Sequence, residues 1–404
     1  MNRINLIICF CGILFGQNLE QVLTDALETH PLLKAAAEKE NAIKESAKFS
    51  ASLADAKLAV IYFPEPIVTA NGPQEAVVQI SQSFPFFGTL SLKEAIGIAE
   101  ARSVNADQAM LRNQLEFQIS VAYFRLAAAQ EQLQLVNDYK KLLNSFYQSA
   151  LTKYEQSLGS QQTVLKAQTE IVRIEDQQLD LQLMIVSYLK RLNEVAHTTY
   201  NRLDANFQEV MIDADSVAIN QLPAQQSLRY KQNAVNSELD LIAKEKLPDF
   251  QLGLQYSLIK ERNGISGNQD AIGIQFAMSL PFLSGKYGEK EAAVSAKKMM
   301  LAEQYTYNFS ASRQRIDEIR QRIKYLDQRL QLYETDLITK AELTLSSSLA
   351  SYETGELDFL NVLDAERLLL EVRKQAIEIK LKQAIAKAEF KNETTVYRSG
   401  DSND

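Results

Sequence analysis

The chain has two histidines, His30 and His197, and two cysteines, Cys9 and Cys11, so the residue types that bind transition metals or form thiolates are scarce. A metal site needs ligands that converge at suitable spacing. His30 precedes Pro31 at a helix break and His197 stands near a helix end, so no metal ligand is assigned. Asp358, in the run Thr354-Gly355-Glu356-Leu357-Asp358, has two readings. It is placed to cap the helix that starts at Phe359, or to form an acidic ring that gates cations if copies surround an axis. Arg313, Arg315, Arg320, Arg322 and Arg329 lie among Asp317, Glu318 and Asp327 and read as a solvated, salt-bridged helix face. No nucleophile–base pair, phosphate loop or paired-acid constellation is present, and an enzyme needs one. The expectation is a protein without catalytic residues, cofactor or bound metal.

Both cysteines fall in the first sixteen residues. That stretch has charged Arg3, an apolar run Ile4–Phe15, then Gly16 and polar Gln17. It reads as a secretory signal peptide (1–17), too short to span a membrane as a helix. Cleavage there leaves a mature chain without thiols. Over 404 residues the net charge is −8, with 14 glycines, 8 prolines and no tryptophan. This suits a helix-rich protein of two units, and without a basic patch it argues against a nucleic-acid partner.

Residues 75–170 return in 271–368. Ser83-Phe84-Pro85-Phe86-Phe87 matches Ser279-Leu280-Pro281-Phe282-Leu283. Tyr154-Glu155 and Val164-Leu165-x-Ala167 match Tyr352-Glu353 and Val362-Leu363-x-Ala365. A chain that spells one long unit twice is a tandem duplication. The expected layout is repeat 1 over 18–200, a linker over 201–223, repeat 2 over 224–390 and a disordered tail over 391–404.

Each copy has a strand pair and a long helical hairpin. Phe250, Leu252, Leu254, Tyr256 and Leu258 alternate with small or polar residues, as do Ile272, Ile274, Phe276, Met278 and Leu280. Strict period two with one apolar face means strands, and nine residues suffice for a tilted strand to cross a bilayer. The loop Lys260–Asp270 is polar. In copy one, Val77–Phe84 alternates more weakly, and Leu58–Phe63 reads as a short strand ended by Pro64-Glu65-Pro66. Leu115, Ile119, Ala122, Leu126, Ala129, Leu133 and Val136 then recur at coiled-coil spacing, as do Ile316, Ile319, Ile323, Leu326, Leu330, Tyr333 and Leu337. The seams break at Ser157-Leu158-Gly159-Ser160 and at Gly355-Glu356-Leu357-Asp358. These eight residues form the expected hairpin tips, with Gly159 and Gly355 letting the turns form. The seams resume at Val164 and Val362.

Four amphipathic strands cannot close a membrane barrel, because unpaired edges find no water in lipid. The expected fold is therefore mostly α with membrane β: a duplicated strand pair plus coiled-coil hairpin, four strands per chain, closing by oligomerisation. Three copies give a twelve-stranded barrel and two a tight eight.

Gln79-Ile80-Ser81-Gln82-Ser83-Phe84-Pro85-Phe86-Phe87-Gly88-Thr89-Leu90 and Tyr352-x-x-Gly355-x-x-Asp358-Phe359-Leu360-x-Val362-Leu363-x-Ala365 resemble the signature phrases of TolC-type outer-membrane efflux proteins. The first-copy strand region is most similar to the heavy-metal branch. The resemblance implies a homotrimer with a twelve-stranded outer-membrane barrel and a periplasmic helical tunnel. It also implies a tunnel opened at its tip by a periplasmic adaptor and an inner-membrane pump. Function is then a passive exit duct for efflux or type I secretion, with metal cations as one cargo. The alternatives are a periplasmic adaptor or a structural coiled-coil protein. With the metal branch in view, Met299-Met300 invites a copper relay. Adjacent helical residues point apart, so one methionine is assigned to the seam and the other to the surface. Tip one departs from the family pattern, its Gly159 standing two positions later than the glycine of tip two.

Overall fold

A computed structural model describes residues 18–70, 72–207, 217–260, 270–283 and 285–398 of the chain. The expected signal peptide with Cys9 and Cys11, residues 208–216 of the linker, 261–269 of the polar loop, and 399–404 lie outside that set.

Local chemistry sets the helix ends. α1 spans Leu19–Thr29, and the Asn18 side chain accepts from the Gln21 N–H at 2.9 Å. Pro31 ends α1, because the residue before a proline is pushed out of the helical region; His30 sits at φ −61°, ψ 122°. The same proline opens α2 (Pro31–Ser50), where its missing N–H is no loss.

β1 (Lys57–Thr69) and β2 (Gly72–Phe84) follow. β1 overturns the expectation of a short strand stopped by Pro64-Glu65-Pro66. It lies at the sheet edge, where a proline has fewer ladder bonds to break. The pairing slips there instead, from Tyr62–Ala76 to Ile67–Gln74. α3 (Thr89–Glu155) runs 67 residues, on the order of 100 Å at the usual rise. α4 (Gln161–Ala196) ends at His197, which takes the left-handed conformation at φ 52°. A 3-10 turn at Ile219–Gln221 leads into α5 (Pro223–Glu245). β3 (Phe250–Ile259) and β4 (Ala271–Met278) precede α6 (Lys286–Gln331). A π-helical turn at Leu332–Leu337 joins α6 to α7 (Ile338–Glu353), and α8 spans Phe359–Thr394.

The strands form one antiparallel sheet in the order β1-β2-β3-β4. Leu252, Leu254, Tyr256 and Leu258 are exposed on one face of β3, while Gly253 and Ser257 are buried on the other. The fold is helical with a small four-stranded sheet, as the alternating and coiled-coil patterns led us to expect.

The chain divides into two compact units. One takes the N-terminal stretch to Lys34, Met110–Ile219 and Ala311–Val396. Its core joins Val22, Ile119, Tyr123, Phe124, Leu126 and Leu192 in one cluster, and Val136, Leu143, Ile174, Phe359 and Leu363 in another. The other takes Ala35–Ala109, Asn220–Ser310 and the residues from Tyr397. It holds the sheet and a cluster of Leu228, Val235, Ile242, Val294 and Leu301. Each unit draws on both sequence repeats.

Two further expectations are corrected. Ile316, Ile319, Ile323 and Leu326 are buried as a seam requires, but Leu337 is 36% exposed. The π turn adds backbone to one helical revolution and rotates the stripe away from its partner. The tail is not disordered from Lys391: that residue lies in α8, and Tyr397 is held by two bonds. Its N–H donates to the Gln221 carbonyl and its hydroxyl to Asn105 Oδ1, both at 2.8 Å.

Candidate functional site

Two helix ends build the hairpin tips, and they use the same backbone device. After α3, the Leu158 N–H reaches the Lys153 carbonyl at 2.8 Å and the Ser157 N–H the Tyr154 carbonyl at 2.9 Å. After α7, the Glu356 N–H reaches Ser351 at 2.9 Å and the Gly355 N–H reaches Tyr352 at 3.2 Å. Each pair is a Schellman cap, which needs one residue in the left-handed region. Gly355 supplies it at φ 80°, and Ser157, a non-glycine residue, supplies it at φ 62°. The sequence-based role for Gly159 is therefore corrected. The offset of Gly159 from the second tip arises because serine already occupies the position that matches Gly355.

Both outgoing helices begin with a polar residue. Ser160 caps α4, its hydroxyl accepting from the Thr163 N–H at 3.3 Å. Asp358 occupies the N-cap position of α8, but its side chain makes no capping bond. Leu158, Glu356, Leu357 and Asp358 are exposed, so the tips present two apolar side chains beside two carboxylates.

Behind the tips the helices are latched by aromatic and ionic contacts. The Phe359 ring meets Phe146 and Tyr352 edge-on at 6.0 and 5.9 Å, and the Lys153 ammonium sits 4.0 Å over the Tyr352 ring. Deeper in, Arg367 grips the buried Glu170 through two nitrogens at 2.5 and 3.2 Å. Lys374 donates to Gln177 at 2.8 Å, and burial pushes its ammonium below the usual lysine range. Glu366 is 3% exposed and its Oε1 has no partner. Burial pushes that carboxyl up to about 7, against the opposing pull of Arg373. The neighbouring Tyr139 hydroxyl is also unpartnered; burial, then the charges of Glu170 and Glu366, raise it.

Over Gln79–Ser83, Gln251–Ser257 and Gly273–Ala277 the polar face of the sheet is uncharged. Gln79 pairs across from Gln255, Gly253 from Gln275, and Gln74 donates to Ser257 at 3.3 Å.

The histidines, 167 residues apart in sequence, meet with ring centroids 6.2 Å apart. Both His30 nitrogens are engaged: Nε2 donates to the Val195 carbonyl at 3.2 Å and Nδ1 accepts from the Leu32 N–H at 3.3 Å. The ring is a pin at the α1–α2 bend. Its contact with the end of α4 had no sequence signal, since nothing local links the two segments. Met299 and Met300 are both exposed, at 64% and 49%, so the seam assignment for one of them is corrected; Leu301 takes the buried place. Of the arginine cluster, Arg315 and Arg322 reach Glu389 on α8, while Arg320 pairs within its own helix, with Asp317. Among the described residues no group of three or more His, Cys, Asp or Glu could hold a metal, and no helix is long and apolar enough to cross a membrane.

No protein-family model matches the sequence, and no curated protein matches it. Solved structures do match. CusC, a transmembrane channel, aligns with a TM-score of 0.77 at 13% identity, covering 94% of this chain and 92% of that one. The outer-membrane channel OprN aligns at 0.75 and 14%, covering 93% and 89%. VceC, an outer membrane protein of Vibrio cholerae, aligns at 0.69 and 18%, covering 92% and 96%. The chain has the TolC-type channel fold. The shared TolC-type fold extends over nearly the full length of both partners, so the strand pairs and both hairpins are included in the likeness. At these identities the fold is shared while the side chains at the tips are this chain's own.

Proposed function

We propose that the chain is the outer-membrane exit duct of an efflux or secretion machine, acting as a trimer and performing no chemistry itself. One observation carries this reading: the four-stranded sheet is open. β1 and β4 are edges, and the exposed face of β3 and β4 is lined by Leu252, Leu254, Ile272, Ile274 and Phe276. A sheet with a greasy outer face and two free edges is satisfied only where lipid covers the face and further strands cover the edges. Three copies supply twelve strands, within the range of closed membrane barrels. The inner face then carries Gln79, Ser81, Gln255, Ser257 and Gln275, an uncharged polar stretch along β2, β3 and β4.

The long coiled hairpins form the periplasmic conduit, and a periplasmic adaptor and an inner-membrane pump engage the tips. The exposed Leu158 and Leu357 give a partner apolar purchase there. Metal cations are a cargo that suits the tips, since Glu356 and Asp358 are exposed and form no ion pair among the described residues.

The test is membrane fractionation of a producing cell, followed by molar-mass measurement in detergent and single-channel recording in a planar bilayer. Outer-membrane residence, a trimer and a conducting pore support the duct. A soluble monomer without conductance overturns it.

A further inference from the structure

The register of the sheet puts one ionised side chain on its polar face. β1 opens at Lys57, whose ladder partner is Ser81; Ser81 stands opposite Gly253, and Gly253 opposite Gln275. Directly opposed residues of an antiparallel ladder share a face, so the row Lys57–Ser81–Gly253–Gln275 lies on the polar side. Leu58, Val60 and Tyr62 lie on the other side, opposite Ile80, Val78 and Ala76, and are 70%, 64% and 70% exposed. Among the ladder-paired residues of the described sheet, Lys57 is the one that carries a charge. We propose that Lys57 sets the charge preference of the barrel lumen: three copies form a ring of ammonium groups that favours small anions, inorganic or carboxylate, over cations of like size.

Among the described residues nothing in the sheet neutralises this charge. Lys57 is exposed, and its ammonium forms no hydrogen bond or ion pair among them. Its row brings no acid: Ser81 and Gly253 are short, and the Gln275 amide oxygen is taken by Gln79. Glu75, the acid of β2, holds Lys260 at 2.8 Å toward the far end of the strand. Asp55, two residues before Lys57, is exposed and makes no ion pair with it. The energetics agree with the assigned face. A lysine on the lipid face of a membrane barrel is penalised, whereas a charge on the lumen face tunes selectivity.

The place along the strand adds to the effect. Lys57 stands at the end of the sheet from which β2 runs on toward α3 and β4 toward α6. In the proposed duct a solute moving from the helical conduit into the barrel must pass this row. Fixed charges in a wide, water-filled lumen act over about one Debye length, roughly 10 Å at 0.1 M salt and roughly 3 Å at 1 M. The preference therefore weakens as salt rises. Its sign is opposite to that of carboxylates such as Asp358, so a general disturbance of the pore cannot imitate both. The ring rests on the reading of the chain as a trimeric duct; the face of Lys57 and its missing counter-charge do not.

The permeability of chloride relative to potassium is read from reversal potentials of the full, purified chain in planar bilayers under a KCl gradient. At roughly 0.1 M salt, Lys57→Gln should lower that ratio about threefold and Lys57→Glu should lower it further, while Lys57→Arg keeps the wild-type value. The difference should shrink toward nothing at roughly 1 M. Lys57→Cys and Val60→Cys are then treated with the anionic thiol reagent methanethiosulfonate ethylsulfonate, with treated wild type as the blank. The ratio should fall for Lys57→Cys and stay unchanged for Val60→Cys. An equal response at the two positions would put Lys57 on the wrong face and overturn the ring. A conducting pore whose ratio is the same in wild type, Lys57→Gln and Lys57→Glu overturns the ring and leaves the duct standing. A membrane-inserted trimer that never conducts overturns the duct, and the ring with it.

Discussion

Gln79 on β2 donates its side-chain amide to Gln275 Oε1 on β4, reaching across the whole width of β3. The crossing happens at Gly253. A Cβ there would lie 3.3 Å from Gln275 Oε1 and 3.3 Å from the Ile80 carbonyl. The missing side chain is therefore the gap that lets two glutamines from non-adjacent strands meet. Gly253→Leu should separate them and lower stability by about 1 kcal/mol, the net worth of a hydrogen bond. Gly273→Leu is the control, because a Cβ there meets only Gln255 at 4.0 Å. Thermal unfolding in detergent compares the two; equal losses would deny Gly253 its special place.

The two tips share a cap but differ in the residue that makes the left-handed turn. Ser157→Gly should stabilise the first tip by about 0.5–1 kcal/mol, and Gly355→Ala should destabilise the second by about 1 kcal/mol. Opposite shifts in the thermal midpoint are the expected result, and hydrogen exchange at Leu158 and Glu356 should follow the same signs.

Glu366 gives the hairpin bundle a pH dependence of calculable sign. Its carboxyl is held up to about 7 in the folded chain, above the usual carboxylate range, because burial disfavours the charge. A group with a raised folded value keeps its full stability below its unfolded pKa and loses it as pH rises through the folded one. The penalty develops between about pH 4.5 and 7 and amounts to about 3 kcal/mol at most. Arg373 opposes the shift, and the Tyr139 hydroxyl feels the Glu366 charge in turn. Glu366→Gln should flatten the loss between pH 5 and 8 in a denaturant series, while matching wild type at the acid end.

Arg367 is the principal partner of the buried Glu170; Arg173 stands farther off at 3.6 Å. Arg367→Ala leaves a buried carboxylate half-compensated and should cost about 2–3 kcal/mol. Adding Glu170→Gln to that variant should restore most of the loss, because the uncompensated charge goes with it. A double-mutant cycle by chemical denaturation reads the coupling.

The free Asp358 side chain makes the acidic-ring reading testable. In the proposed trimer, Asp358→Asn should reduce cation over anion selectivity in bilayer recordings, with little change in unfolding midpoint since no capping bond is lost. Unchanged reversal potentials would leave Asp358 as a helix-start residue alone.

What was legible beforehand follows physical locality. β3 and β4 were readable because Phe250–Leu258 and Ile272–Leu280 alternate without exception, and a period of two has one structural meaning. β1 was not, because Pro64 and Pro66 signal a stop in any central strand and only the sheet order reveals an edge. The seams through Leu115–Val136 and Ile316–Leu326 were legible; the π turn after Gln331 was not, since a widened revolution leaves no mark in residue type. Ser157 hid its left-handed backbone because serine seldom adopts it. The His30–His197 meeting is long-range and silent. The Glu170–Arg367 grip had a usable clue: the partners are 197 residues apart, close to the duplication offset, and equivalent stretches of a doubled chain tend to lie side by side.

The unpaired margins of the sheet carry a consequence for biogenesis. In the proposed trimeric duct, a newly exported copy emerges with two strand borders able to zip onto any extended polypeptide it meets. Its safe interval lasts only until sister copies arrive, so the chain needs an escort or swift encounter during transit. Crowded, poorly escorted production should yield cross-strand clumps before it yields pores.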